Sequence, residues 1–207
     1  MTFMGDTGFH PTVVFDAPYW VHDFTRPSSE AWTAPYLYSV GRYDERRPEM
    51  YTTELFAGVR DHHVGLDLGA PAGTPVFAFA SGEVACVTIN GQDGSYGPTL
   101  VTKHTLAMPQ EVGREPVGDV QTFWVLYGHL SWASIEHWSV GDVFEGGTKI
   151  AALGDEEENG GWPPHVHVQL SRKEPENGDL PGVVAPEDRQ DALALYPDPR
   201  LICGALY

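Results

Sequence analysis

The pattern of apolar and polar residues changes character near residue 70. Beyond it, short β-rich runs cover 76–80, 83–89, 100–104, 122–127 and 149–153, parted by turn signals such as Pro71-Ala72-Gly73, Ser81-Gly82, Gly141-Asp142 and Gly146-Gly147. Glycine, proline and small polar residues let the backbone reverse, so each cluster predicts a strand end. Strands this short and this regularly punctuated predict an antiparallel sheet, because a βαβ layout needs helical segments between strands and few are in sight. The polar stretch 105–119 reads as an insertion between two strands, and 188–195 as one short helix before Pro197. The expected fold class is mainly β, with few short helices.

The first 57 residues differ. Aromatics (Phe15, Tyr19, Trp20, Phe24, Trp32, Tyr36, Tyr38) mix there with prolines at 11, 18, 27 and 35, without sustained helical or alternating period. This predicts an irregular extension over 1–57 packed on one domain over 58–172, followed by a C-terminal extension over 173–207. A chain of 207 residues is long enough for one domain with a substantial core and marginal for two.

Three segments carry candidate chemistry. His165-Val166-His167-Val168-Gln169-Leu170 alternates strictly, so a strand puts His165, His167 and Gln169 on one face and the apolar residues on the other. Same-face neighbours have Cα atoms about 6.6 Å apart, close enough for one ring to bind a metal while the other overhangs it. His63-Val64-Gly65-Leu66-Asp67 carries an imidazole and a carboxylate, both good zinc ligands. In a straight strand those two residues would stand about 13 Å apart, so sharing an ion requires a bend, and Gly65 gives the backbone that freedom. Tyr127-Gly128-His129-Leu130-Ser131 ends a β-rich run at a glycine and a histidine, and strand ends are common places for a catalytic side chain. Taken singly, each segment also fits a purely structural role.

Together with Ala70-Pro71-Ala72-Gly73-Thr74-Pro75-Val76, Ser81-Gly82-Glu83-Val84, Tyr96-Gly97 and Val140-Gly141-Asp142, these segments form an ordered set. The stretch 59–170 thereby resembles the lysostaphin-type zinc endopeptidases, bacterial enzymes that cut peptide cross-links in cell walls. The resemblance implies an antiparallel β-sheet fold with an open groove, of the duplicated hybrid motif type. It implies one Zn²⁺ held by His63, Asp67 and His167, with His129 and His165 as the catalytic histidines beside the open coordination position. All five positions are filled, whereas relatives that serve as regulators usually lack some of them. His62 adjoins the implied ligand, and the spacing to Asp67 matches His63. The loop Asn159-Gly160-Gly161-Trp162-Pro163-Pro164 replaces the family's small-residue turn before the histidine pair and is expected to border the groove. The stretch 158–167, with the tail through Pro197-Asp198-Pro199, also resembles a variant of this domain found in larger chains beside phosphotransferase and aminotransferase segments.

Zinc suits this donor set better than magnesium, because imidazole favours borderline-soft ions; iron, manganese and nickel suit it as well. No Gly-x-Ser-x-Gly elbow or Gly-rich phosphate loop competes, and Cys86 and Cys203 have no neighbouring cysteine, which predicts two free thiols.

Charge narrows the partners. Twelve Lys and Arg against 29 Asp and Glu give a formal charge of -17, which disfavours nucleic acid. It also weakens attraction to anionic wall polymers. No apolar run reaches the roughly 20 residues of a transmembrane helix. Residues 1–20 carry Asp6 and Asp16 and lack a secretory signal, so the expected compartment is cytoplasmic, or extracellular if the protein is released by lysis or was trimmed. The leading expectation is a zinc metalloendopeptidase acting on peptidoglycan cross-links or short peptides. The alternatives are a non-catalytic or regulatory metal-binding module on the same scaffold, or a cytosolic small-molecule amide hydrolase. The oligomeric state is not legible.

Overall fold

The computed structural model describes residues 8–26 and 34–207, so Asp6, Pro27 and Trp32 lie outside the described residues. The strands, in chain order, are β1 Tyr19–Val21, β2 Tyr38–Gly41, β3 Glu45–Arg46, β4 His62–His63, β5 Leu66–Gly69, β6 Pro75–Phe77, β7 Gly82–Asn90, β8 Gly97–Ala107, β9 Val120–Gly128, β10 Val143–Phe144, β11 Lys149–Ala152, β12 His165–Ser171 and β13 Val183–Val184. Among the described residues the α-helices are short: α1 Trp132–Ile135, α2 Arg189–Leu195 and α3 Arg200–Cys203. The β-rich runs read from sequence fall on β6, β7, β8, β9 and β11, although β6 ends at Phe77 and β8 extends to Ala107, three residues into the expected insertion; the short helix before Pro197 is α2.

Eight strands form one sheet in the order β1-β2-β5-β12-β9-β8-β7-β10, beside a two-stranded sheet of β11 and β6 and a three-stranded sheet β13-β4-β3. All neighbours are antiparallel except β1 and β2, which run parallel at one edge. The irregular extension expected over 1–57 is therefore corrected at three places: β1 and β2 extend the large sheet and β3 pairs with β4. These strands are only two to four residues long, too short to print a period on the sequence.

Alternation along each strand gives the large sheet two apolar sides. Leu66, Leu68, Leu100, Val125, Tyr127, Val166, Val168 and Leu170 pack in the main core with Val76, Phe79, Ile150 and Ile202. The opposite face builds a second core from Val101, Leu126, Val64, Tyr96 and Leu180, closed by Ala192 of α2. His165, His167 and Gln169 share that second face, as the alternation predicts. Cys86 and Cys203 are free thiols. Among the described residues no helix is long and apolar enough to cross a membrane.

Candidate metal centre

Strand register assembles the site. In the β5–β12–β9 ladder, His167 stands opposite Asp67 on one side and Gly128 on the other, while His165 stands opposite Gly69. Cross-strand partners point to the same face, so this pairing alone sets Asp67 beside His167. His63 arrives from β4, in a different sheet. The chain breaks between β4 and β5 at Val64 and Gly65, which is the bend that the His63 to Asp67 spacing requires. Gly65 has a further purpose there: a Cβ on it would lie 2.2 Å from His167 Cε1, so the glycine makes room for the ring.

The three side chains converge closely. His63 Nε2 lies 3.2 Å from His167 Nδ1 and 3.2 Å from Asp67 Oδ1, and His167 Nδ1 lies 3.1 Å from Asp67 Oδ1. Both rings give their N–H elsewhere. His63 Nδ1–H donates to the Arg42 carbonyl at 2.8 Å, and His167 Nε2–H donates to Gln169 Oε1 at 3.0 Å. In these tautomers the facing atoms are two imidazole lone pairs and a carboxylate oxygen, an arrangement that repels itself unless a proton or a cation lies among them. A tetrahedral zinc ion with bonds of about 2.0–2.1 Å sets its ligand atoms roughly 3.3 Å apart, so the triangle fits the ion. Among the described residues this is the one grouping of three such side chains whose ligand atoms all lie within 4.8 Å.

Electrostatics prepare the same donors. Burial pushes the His63 imidazole down to about 4, and the Arg47 guanidinium adds to the effect, so His63 is neutral at pH 7. Burial opposes ionisation of Asp67, yet its neighbours, the Arg47 guanidinium among them, outweigh it and hold the carboxyl well below its usual range. With His63 neutral, Arg47 is the permanent cation beside that carboxylate, its Nη1 2.8 Å from Oδ2.

The other two expected histidines border the cluster. His165 Nε2 lies 3.8 Å from Asp67 Oδ1, and the His129 and His165 rings are 4.2 Å apart. One residue beyond Gly128, a regular strand would aim His129 at the far face. Its backbone instead turns left-handed, at φ 62°, and is held by His129 N–H to the Tyr96 carbonyl (2.8 Å) and Gly154 N–H to the His129 carbonyl (3.0 Å). A non-glycine residue held there is strained, and here the strain re-aims the ring into the site. The loop before β12 fixes both rings: His129 Nδ1–H donates to the Asn159 carbonyl and His165 Nδ1–H to the Pro163 carbonyl, each at 2.7 Å. Burial lowers both imidazoles, most strongly His129, where His165 adds to the effect. Each therefore keeps its Nε2 unprotonated at neutral pH, and both residues line the cleft.

All five expected residues thus meet in one place, and His62 does not join them. Its Nε2 lies 2.7 Å from Asp44 Oδ1 and takes a hydrogen bond from Arg189 Nε at 3.1 Å. Arg47, Gln169 and the Arg42 and Asn159 carbonyls escaped the sequence reading as parts of the site; only Gln169 left a signal, its place on the same strand face as His167.

The centre opens into a cleft of about 1180 Å³. Tyr51, Phe56 and Trp162 form aromatic parts of its wall, and the loop Gly160 to Pro164 borders it. Residues before position 58, among them Phe24, Ser39 and Arg47, line it too.

No curated protein matches the chain. Among solved structures it is similar to the catalytic domain of the antimicrobial peptidase lysostaphin from Staphylococcus simulans, at 21% identity over 72% of this chain and 90% of that one, with a TM-score of 0.45. It is also similar to a mutant catalytic domain of the prophage-encoded M23 protein EnpA from Enterococcus faecalis, at 25% identity over 72% and 89% of the two chains, with a TM-score of 0.44. A zinc containing peptidase from Vibrio cholerae aligns at 24% identity over 53% of this chain and 27% of that one, with a TM-score of 0.37. The profile of peptidase family M23 matches residues 61–179, which is 119 of the 207 residues and encloses the whole cluster from His63 to His167. The chain belongs to peptidase family M23.

Proposed function

We propose that the protein is a zinc-dependent hydrolase that cleaves peptide bonds, with peptidoglycan cross-links or short peptides as substrates. The carrying observation is the triangle of two imidazole nitrogens and a carboxylate oxygen at 3.1–3.2 Å, bordered by the His129 and His165 rings. His63 Nε2, His167 Nδ1 and Asp67 Oδ1 would hold the ion. Bound there, zinc would polarise a carbonyl and lower the pKa of water toward 7.

The chain's own residues do the rest. His129 Nε2 and His165 Nε2 would take a proton from water and return one to the departing amine; the engagement of both Nδ1–H groups supports this reading. An imidazolium at either position also stabilises negative charge developing on the carbonyl oxygen. The cleft, at about 1180 Å³, exceeds the usual volume of a small-ligand pocket, which favours an extended peptide over a small amide. A three-membered donor set facing a cleft favours a catalytic site over a closed structural one, which uses four ligands. The charge of -17 favours substrate segments that are neutral or cationic.

The test loads the protein with zinc, incubates it with wall fragments and with a diverse peptide library, and identifies products by mass spectrometry. One zinc per chain and cleavage of at least one class of substrate are expected, with both lost in His167→Ala. Full zinc retention in that variant refutes the ligand set. Cleavage of short peptides alone points to a cytosolic substrate.

A further inference from the structure

We propose that Arg47, which lies outside the family-matched residues 61–179, is a positioning residue for two of the three metal ligands. It fixes which oxygen of Asp67 faces the cluster and holds the carbonyl that orients His63. The proposal rests on the zinc reading above.

The side chain is 3% exposed, and its donors are directed one by one. Nη1 donates to Asp67 Oδ2 at 2.8 Å and to the Tyr51 hydroxyl at 3.0 Å, and lies 3.8 Å from Met50 Sδ. Nη2 donates to the Arg42 carbonyl at 3.1 Å, the same oxygen that accepts His63 Nδ1–H at 2.8 Å. Nε donates to Glu45 Oε2 at 3.0 Å. The guanidinium also lies over the Phe24 ring, 4.8 Å from its centroid. Its backbone is anchored independently, Arg47 N–H donating to the Asp61 carbonyl at 2.7 Å. Gly41 leaves the space for this approach, because a Cβ there would lie 2.6 Å from Asp67 Oδ2 and 2.9 Å from Arg47 Nη2.

A carboxylate with both oxygens free can bind an ion through one or both, and each mode changes the coordination number. With Oδ2 pinned by Nη1, Oδ1 alone remains for the cluster. A lone guanidinium this close would repel a cation, but Glu45, itself buried, offsets its charge. What is left is geometry: one planar fork touching the outer oxygen of one ligand and the carbonyl behind another. A lysine supplies the charge without the fork.

The test compares wild type with Arg47→Lys and with the double variant Glu45→Leu/Arg47→Met, which removes the buried pair without leaving either charge unpaired. Each is loaded with Co²⁺ and read by visible absorption, and zinc affinity is read by competition with a chromophoric chelator. In both variants the cobalt bands should weaken as Asp67 turns bidentate and the coordination number rises, and zinc affinity should fall by about ten- to a hundredfold. If Arg47→Lys fails to fold, the double variant carries the test. Variants that fold and keep the wild-type cobalt spectrum and zinc affinity overturn the role of Arg47 and leave the zinc reading standing. Wild-type protein that takes up neither ion overturns both.

Discussion

Two buried histidine environments in this molecule look alike until their ring nitrogens are followed. His104 on β8 and His63 on β4 are both nearly inaccessible, and burial pushes both imidazoles down to about 4. Around His104 the protein satisfies both nitrogens itself. Nδ1–H donates to the Ser81 carbonyl at 3.0 Å, Nε2 accepts from the Thr102 hydroxyl at 2.8 Å, and Phe79 and Phe123 pack against the ring. At His63 and His167 one nitrogen of each ring is satisfied and the other faces a lone pair. Depth and a depressed pKa therefore do not separate a structural histidine from a candidate metal ligand; convergence of ligand atoms does.

The sharpest way to break this contrast is to remove groups that border the cluster without belonging to it. His129→Ala and His165→Ala should each keep one zinc per chain and lose about 10²- to 10⁴-fold in peptide hydrolysis, the usual contribution of positioned acid–base catalysis. Zinc content and turnover measured on the same preparations decide it. Loss of the metal in either variant would move that histidine into the ligand set, and undiminished turnover would remove it from the chemistry.

Much of this arrangement was legible beforehand, and the remainder was hidden for physical reasons. Strict alternation over 165–170 placed His165, His167 and Gln169 on one face, because a strand's period of two is local information. The ordered motifs singled out, by resemblance, five residues that the fold brings together. Arg47 carried no signal: it reaches Asp67, twenty positions on, only because β3 pairs with β4 and brings the two segments together. Gly65, expected from sequence to supply backbone freedom, has no positive φ and is needed for space against the His167 ring. Gly65→Ala should accordingly displace that ring and weaken zinc binding by about a hundredfold, comparable to the strongest effects of disturbing groups behind a ligand. Calorimetric titration of the metal-free protein measures this, and wild-type affinity in the variant would show that the loop yields instead.

A smaller effect compares the partners behind the two rings. Gln169→Leu removes the acceptor of His167 Nε2–H and should cost about ten- to a hundredfold in zinc affinity by freeing the tautomer. The matching change at the other histidine, Thr102→Val, deletes the donor to His104 Nε2 and should leave zinc affinity unchanged while lowering stability by about 1 kcal/mol or more. Equal zinc affinities in the two variants would erase the distinction between the environments.

The last comparison tests whether His104 is held neutral. Its folded value of about 4 lies below the value of about 6.5 for an unfolded chain, so between these limits the unfolded state binds the extra proton. Stability linked to His104 is therefore fully present above pH 6.5 and drains away as pH falls toward 4. Between pH 7 and pH 5 the loss from this one group comes to about 2 kcal/mol. Other groups titrate in the same range, so the informative quantity is a difference: urea unfolding of wild type and His104→Gln, each at pH 7 and pH 5. Glutamine occupies a similar place without titrating, and its variant should lose less stability over the interval by about that amount. Parallel losses in the two proteins would mean that His104 accepts its proton in the folded state, and that burial does not hold the ring neutral.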